Sequence, residues 1–234
     1  MKFLDEPALT MINTILNECK VGDRIIHGSI EAFSCKRNTA DKKFAKSLES
    51  QYQQELAASP NAAEASTSPI GSLLDAPTRK LMINLISTMN ASFPDYDFSS
   101  VRPEQFGKTP LKVIRHSINS QLAEMVEVHS NGFLEKLWRA IDLVIQPDQC
   151  DIYSYIPDLD DSDPFSGSTV LWSFNYLFYN KQLKKMLYFK CVSNSMFYEQ
   201  HDDDAATATV QDGTASEDDD FEESDMMLDW EDGV

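Results

Sequence analysis

The 234-residue sequence predicts an α+β fold, a mainly antiparallel sheet packed with helices in a single domain. Three observations carry that prediction. Two aromatic-rich runs, Val170 to Tyr179 and Leu183 to Val192, flank Asn180-Lys181-Gln182, a hairpin signal with strong β formers on both arms. Several segments place apolar residues at helical spacing, and helices that bury one face need a sheet or each other to cover it. Two stretches, 38–77 and 201–234, hold few large apolar side chains and cannot bury enough surface to offset their ordering entropy. The expected organisation is therefore a domain in two parts, 1–37 and 78–200. A flexible polar insert (38–77) separates them, and an acidic disordered tail (201–234) follows.

Residues 4–19 read as an amphipathic helix, with Leu4, Ala8, Met11, Ile12, Ile15, Leu16 and Cys19 at helical spacing. Gly22-Asp23 breaks it. Arg24 to Lys36 reads as a strand carrying Ile25, Ile26, Ile30 and Phe33, with Gly28 marking a bulge or a close backbone approach. The insert is compatible with a short helix from Phe44 to Leu56, where Leu48, Tyr52 and Leu56 recur at four-residue intervals. Thr78 to Met89 reads as a helix, and Phe93 to Ser99 as a turn leading into an extended segment. Pro110 to Val128 is the next helix, with Pro near its start and a stripe of Leu111, Ile114, Ile118, Leu122 and Met125. After Asn131-Gly132, Phe133 to Ile145 is another, carrying Leu134, Leu137, Trp138, Ile141 and Val144. Cys150 to Ile156 alternates like a strand, Asp158 to Gly167 is an acidic loop, and the hairpin follows.

The formal net charge of −18 is concentrated in the tail. Fourteen of the 38 acids lie from Asp202 onward, where there is no Lys or Arg; the remaining 24 face all 20 bases, so the rest of the chain is close to neutral. Such a tail repels nucleic acid, and it suits a basic partner, a basic surface of its own domain, or plain solubility. Phe221 and Met226 to Trp230 interleave apolar residues with acids, a docking-motif pattern. Cys19, Cys35, Cys150 and Cys191 are scattered and form no C-x-x-C pair, which points to free thiols in a reducing compartment. No signal peptide or membrane-length apolar run is evident, so a soluble intracellular protein without a membrane partner is expected.

Catalytic patterns fail one by one. Gly107-Lys108-Thr109 invites a P-loop reading, but Arg102 stands where its first Gly belongs. The Asp158–Asp163 run has Asp163 where a calcium loop needs Gly, and Thr169 where it needs Glu. Asp95 and Asp97 read as turn-capping residues, and His27, His116, His129 and His201 lack metalloprotease spacing. The chain reads as a non-enzyme that calls for no cofactor or metal. Lys36, Arg37, Lys42, Lys43 and Lys46 cluster at the start of the insert, and suit a nuclear-import signal, a phosphate or RNA patch, or a solvated surface. Thr39 after two basic residues, Ser59 and Ser68 before Pro, and Ser216 before acids are candidate phosphorylation sites, each phosphate adding about −1.5 to −2 charges.

Three segments together resemble a known family. They are Gly28-Ser29-Ile30-Glu31-Ala32-Phe33-Ser34-Cys35-Lys36, then Phe93-Pro94-Asp95-Tyr96-Asp97-Phe98-Ser99, then Trp172-Ser173-Phe174-Asn175-Tyr176-Leu177-Phe178-Tyr179-Asn180-Lys181 running into Leu183-Lys184-Lys185. Their order and spacing are similar to the three signature boxes of the eukaryotic Maf-type repressor of RNA polymerase III, over about residues 1–200. The resemblance implies a mixed α/β sandwich. It also implies a mediator of stress and nutrient signalling that shuttles between nucleus and cytoplasm. Such a protein binds the polymerase near its clamp and engages initiation-factor components, which prevents recruitment to tRNA and 5S rRNA genes, with no sequence-specific DNA contact of its own. Linker phosphorylation by regulatory kinases, reversed by phosphatases, is implied as its control. Because Trp172, Phe174, Tyr176 and Phe178 share one face of a strand, much of the third box is expected to be core packing. Removal of 39–75 is expected to leave the fold largely intact.

Overall fold

The computed structural model describes residues 1–58, 68–125, 132–157, 164–165 and 167–196. Its centre is three long strands: β3 (Arg24–Ser34), β6 (Val170–Asn180) and β7 (Lys185–Ser195), eleven residues each. Short strands complete a seven-stranded sheet: β1 (Lys2–Leu4), β2 (Cys19–Val21), β4 (Phe106–Lys108) and β5 (Asp151–Tyr155). The order is β1-β3-β7-β6-β5-β4, with β2 also pairing β3, and every ladder among the described residues is antiparallel. The outer strands are three residues long, which leaves little unpaired edge for another chain to extend.

Helices cover both faces. On the first lie α1 (Pro7–Leu16), α4 (Leu111–Gln121) and α5 (Phe133–Ile145). Their stripes meet Ile26, Ile30, Phe174, Phe178, Leu187 and Phe189 in one buried cluster. The second face carries α2 (Thr39–Ala58), α3 (Ala76–Ser92) and the segment after it, packed on Phe33, Tyr153, Leu177, Met186 and Tyr188. Strand alternation produces the two cores: along β7, Leu187 and Phe189 point one way while Met186 and Tyr188 point the other. Covered on both sides, β7 carries an unbroken apolar run, Met186 to Phe189, at its centre.

The sandwich and hairpin agree with the sequence reading, and several elements differ in extent. The first helix is shorter than 4–19, because Lys2–Leu4 and Cys19–Val21 are strands on the outer side of β3. Gly28 is a close approach: a Cβ there would lie 3.1 Å from Cys191 Sγ and 3.3 Å from Leu16 Cβ, so α1 could not pack as it does. The arms of the hairpin run to Asn180 and from Lys185, longer than expected, around the turn 181–184. Asn180 accepts from Leu183 N–H at 2.9 Å and donates to Ile145 C=O at 2.9 Å, which ties the turn to the C-terminus of α5.

The insert is the main correction. Residues 39–58, taken for a flexible stretch with at most a short helix, form the 20-residue α2. Ala45, Leu48 and Tyr52 are buried, and so is Ile70 further along. Arg79 on α3 fastens the two helices together: its Nε donates to Glu49 Oε1 at 2.7 Å, and its Nη1 donates to the carbonyls of Leu73 and Leu74 at 2.8 Å. Removal of 39–75 would therefore strip core from the second face, contrary to the expectation from composition. Among the described residues no helix is long and apolar enough to cross a membrane. The tail, most of the acidic loop, His129, His201, Ser59 and Ser216 lie outside the described residues.

Candidate functional site

The signature residues divide between the two faces: Ile30, Trp172, Phe174 and Tyr176 belong to the first core, whereas Phe33, Phe93 and Phe98 belong to the second. Glu31 on β3 faces the same side as Tyr188, its register partner on β7. Lys190, two residues on, binds Glu31 Oε1 at 3.2 Å, and its Nζ donates to Ser92 C=O at 3.1 Å and Ser92 Oγ at 2.6 Å. Ser92 Oγ in turn bonds Glu31 Oε2. All three ammonium protons are thus engaged, and the Phe93 ring lies 4.0 Å from the nitrogen. Burial lowers the Lys190 pKa, while the Glu31 charge opposes that shift. The arrangement clamps the end of α3 to two strands.

Phe93 opens the second box and lies at the centre of an aromatic cluster. Its neighbours are Phe165 at 5.5 Å, Tyr96 at 6.0 Å, Phe98 at 6.1 Å and Tyr188 at 6.3 Å between ring centroids. Asn90 Oδ1 accepts from Phe98 N–H at 2.9 Å and shapes the turn. Pro94, Asp95, Tyr96 and Asp97 are exposed on its rim. Asp97 accepts from the hydroxyl and the N–H of Ser99 at 2.6 and 2.9 Å, and these bonds hold its carboxyl below the usual range. That is the turn-capping role its sequence position suggested.

The third box is mostly interior. Trp172, Phe174 and Tyr176 stack along β6, with centroids 6.0 and 5.3 Å apart, over the first core. Asn175 is buried, and its amide bonds the backbone of Tyr155 just past the Ser154–Tyr176 end of the β5–β6 register: it accepts from Tyr155 N–H at 2.8 Å and donates to Tyr155 C=O at 3.0 Å. Ser173 is half-buried on the strand, and Ile30 is fully inside.

Where the first box ends, a cleft of about 630 Å³ opens. Cys35 N–H donates to Lys184 C=O at 2.8 Å, which joins the end of β3 to the hairpin turn. Lys36, Arg37, Lys80, Lys108, Lys181 and Lys184 line the cleft, and no acid among the described residues does. Arg37 Nη2 donates to Asn84 Oδ1 at 3.2 Å, and Asn84 donates to Tyr179 Oη at 3.5 Å. At the margin Asp151 pairs with Lys108 at 2.8 Å and Lys181 at 2.7 Å. Burial pushes the Cys35 thiol up to about 11, against the pull of Arg37 and Lys80. The half-buried Ser34 accepts from Lys36 N–H at 3.2 Å.

The basic cluster read from sequence therefore divides: Lys36 and Arg37 line the cleft, whereas Lys42, Lys43 and Lys46 lie on the solvent side of α2. Thr39 is exposed as the first residue of α2, beside Asn38, whose Oδ1 accepts from Asp41 N–H at 2.8 Å. Ser68 is half-buried, and its hydroxyl donates to Pro103 C=O at 2.8 Å. Gly107 and Lys108 belong to the edge strand β4, which excludes the P-loop geometry. His27 and His116 are exposed, and among the described residues no group of three or more His, Cys, Asp or Glu could hold a metal ion. Sequence reasoning missed Lys190, Ser92, Lys80 and Asn84. A lone lysine in an apolar strand was the available signal for Lys190; nothing local distinguishes the other three.

A sheet covered by helices on both faces, with its signature residues divided between core, clamp and a basic cleft, defines an α+β sandwich domain. Residues 26–190 match the family described as Maf1 regulator, and this chain belongs to that family. A relative from Schizosaccharomyces pombe, named a repressor of RNA polymerase III transcription, is 36% identical over 236 residues, covering 94% of this chain and 97% of its own. One of the same name from Dictyostelium discoideum is 34% identical over 235 residues, covering 82% and 84%. Two crystal structures of citrus MAF1 superpose with TM-scores of 0.64 and 0.63 at 33% and 35% identity; each alignment covers 80% of this chain and nearly all of the citrus chain.

Proposed function

We propose that this protein is a negative regulator of RNA polymerase III transcription. It binds the polymerase and initiation-factor components, so that the enzyme is not recruited to tRNA and 5S rRNA genes. What carries the reading is the match to the Maf1 regulator family across 26–190, a span that contains all three signature boxes. The exposed rim of the second box, with Pro94, Asp95, Tyr96 and Asp97, supports a protein contact there, since an exposed aromatic beside fixed polar groups suits an interface hot spot. Control by phosphorylation and shuttling between nucleus and cytoplasm belong to the same proposal. Thr39 is the better placed of the described candidates. It is exposed at a helix N-terminus, where a phosphate is favoured by the dipole, whereas modification of Ser68 has to break its bond to Pro103.

The test is a purified polymerase III transcription reaction on a tRNA gene with recombinant full-length protein. Lost initiation together with co-purification of the polymerase supports the reading; undiminished initiation without co-purification sinks it. A second reading, an acidic adaptor that holds basic partners through its tail, is motivated by the fourteen acids from Asp202 onward. Deletion of 202–234 separates the two, because the adaptor loses all binding and the repressor keeps the polymerase.

A further inference from the structure

We propose that the basic cleft is the docking site of the chain's own acidic C-terminal segment, centred on Glu217 to Asp225. The cleft concentrates six cations, and among the described residues no acid lines it. Asp151 neutralises Lys108 and Lys181 in part, while among the described residues no carboxylate pairs with Lys36, Arg37, Lys80 or Lys184. Pro77, Thr78, Lys80 and Leu81 come from the first turns of the 17-residue α3, so its positive dipole end adds to the same field. Like charges gathered in a concave, partly apolar wall attract a multivalent anion more strongly than the same charges spread over a convex surface.

The segment matches that wall in two respects. Glu217-Asp218-Asp219-Asp220-Phe221-Glu222-Glu223 supplies carboxylates with a single aromatic among them, and the cleft interleaves its cations with Ile70, Leu81, Tyr153 and Tyr179. Its length also suffices. The cleft lies at the Lys184 end of β7, and the chain leaves from the other end, about 36 Å away at the rise of a strand. Between Met196 and Glu217 the chain extends to about 70 Å, enough to return along the sheet with slack. The tether makes the contact intramolecular, so individually weak surface pairs act together at high effective concentration. When docked, the segment covers Lys36 and Arg37, two members of the candidate import cluster.

Zero-length carbodiimide coupling of dilute full-length protein, read by mass spectrometry on a mixture of isotopically light and heavy copies, tests this. The expected links join residues 217–225 to Lys36, Lys80, Lys108, Lys181 or Lys184 within one molecule. Lys80 and Lys184 are exposed, so K80E with K184E leaves the circular dichroism unchanged and lowers these links about tenfold, as the loss of several surface pairs would. Replacing Asp218, Asp219 and Asp220 with lysine in that variant restores proximity, read by fluorescence transfer from a dye on the tail. Asp151→Asn frees two lysines and raises the coupling. Links spread equally onto Lys42, Lys43 and Lys46 overturn the proposal, as do links that join light to heavy copies.

Discussion

The two faces of the sheet are covered in different ways. The first is an aliphatic and aromatic core in which α1, α4 and α5 bury full stripes against Ile30, Phe178 and Phe189. The second mixes core with polar work: Tyr188 and Phe93 stand beside the Glu31–Lys190–Ser92 clamp, and α2 contributes only the narrow stripe of Ala45, Leu48 and Tyr52. Burial of area stabilises the first face and tolerates small repacking. The second depends on specific partners, because each buried polar group left unpaired costs more than the pair contributes. The surface features lie on this second side, including the exposed second-box turn and the cleft.

Deletion of 39–75 should test the comparison most severely. It removes Ala45, Leu48, Tyr52 and Ile70 together, and we expect loss of the cooperative thermal transition. Leu48→Ala alone should cost about 2–5 kcal/mol, the range for a buried leucine, read by urea unfolding. A value near zero would mean that α2 contributes little to the folded state. Lys190→Met should cost about 2–3 kcal/mol, below the upper range for a buried pair because Glu31 keeps some contact with water. The double variant with Glu31→Gln should recover part of that loss, and strict additivity would dissolve the clamp into independent contacts.

Asn175→Ala should cost about 1–3 kcal/mol by removing the amide that bonds the N–H and the C=O of Tyr155, with faster amide exchange confined to β4 and β5. The smallest effect concerns pH. Burial alone would raise the Asp151 pKa, but hydrogen bonds and charge from Lys108 and Lys181 outweigh it and leave the pKa lowered. Its contribution is therefore present above the ordinary carboxylate range and is lost as pH falls through the depressed folded value. Both lysines are largely exposed, so Asp151→Asn should flatten the acid limb of the stability curve by a few tenths of a kcal/mol only.

Periodicity made the first face legible. Leu137, Ile141 and Val144 recur every three to four residues, and the β6–β7 hairpin announces itself by aromatic alternation and its Asn180 turn. The second face was harder to read. The stripe of α2 is narrow and set among Lys, Gln and Glu, so composition argued for disorder although the four-residue spacing was present. The three-residue strands β1, β2 and β4 are too short for any periodic signal, and only pairing defines them.

What the sequence determined by itself was the sandwich of helices and antiparallel strands, the family carried by three boxes, and the segregation of negative charge into the tail. These are local properties, encoded in side-chain period, turn chemistry and composition. The tertiary structure alone decided which charges meet. Lys190 faces Glu31 because β3 and β7 are paired in a particular register, and Lys36, Lys80 and Lys184 share a cleft because a strand end, a helix start and a hairpin turn are packed together. Such contacts join residues some 40 to 160 positions apart, as their numbers show, and no local pattern records them.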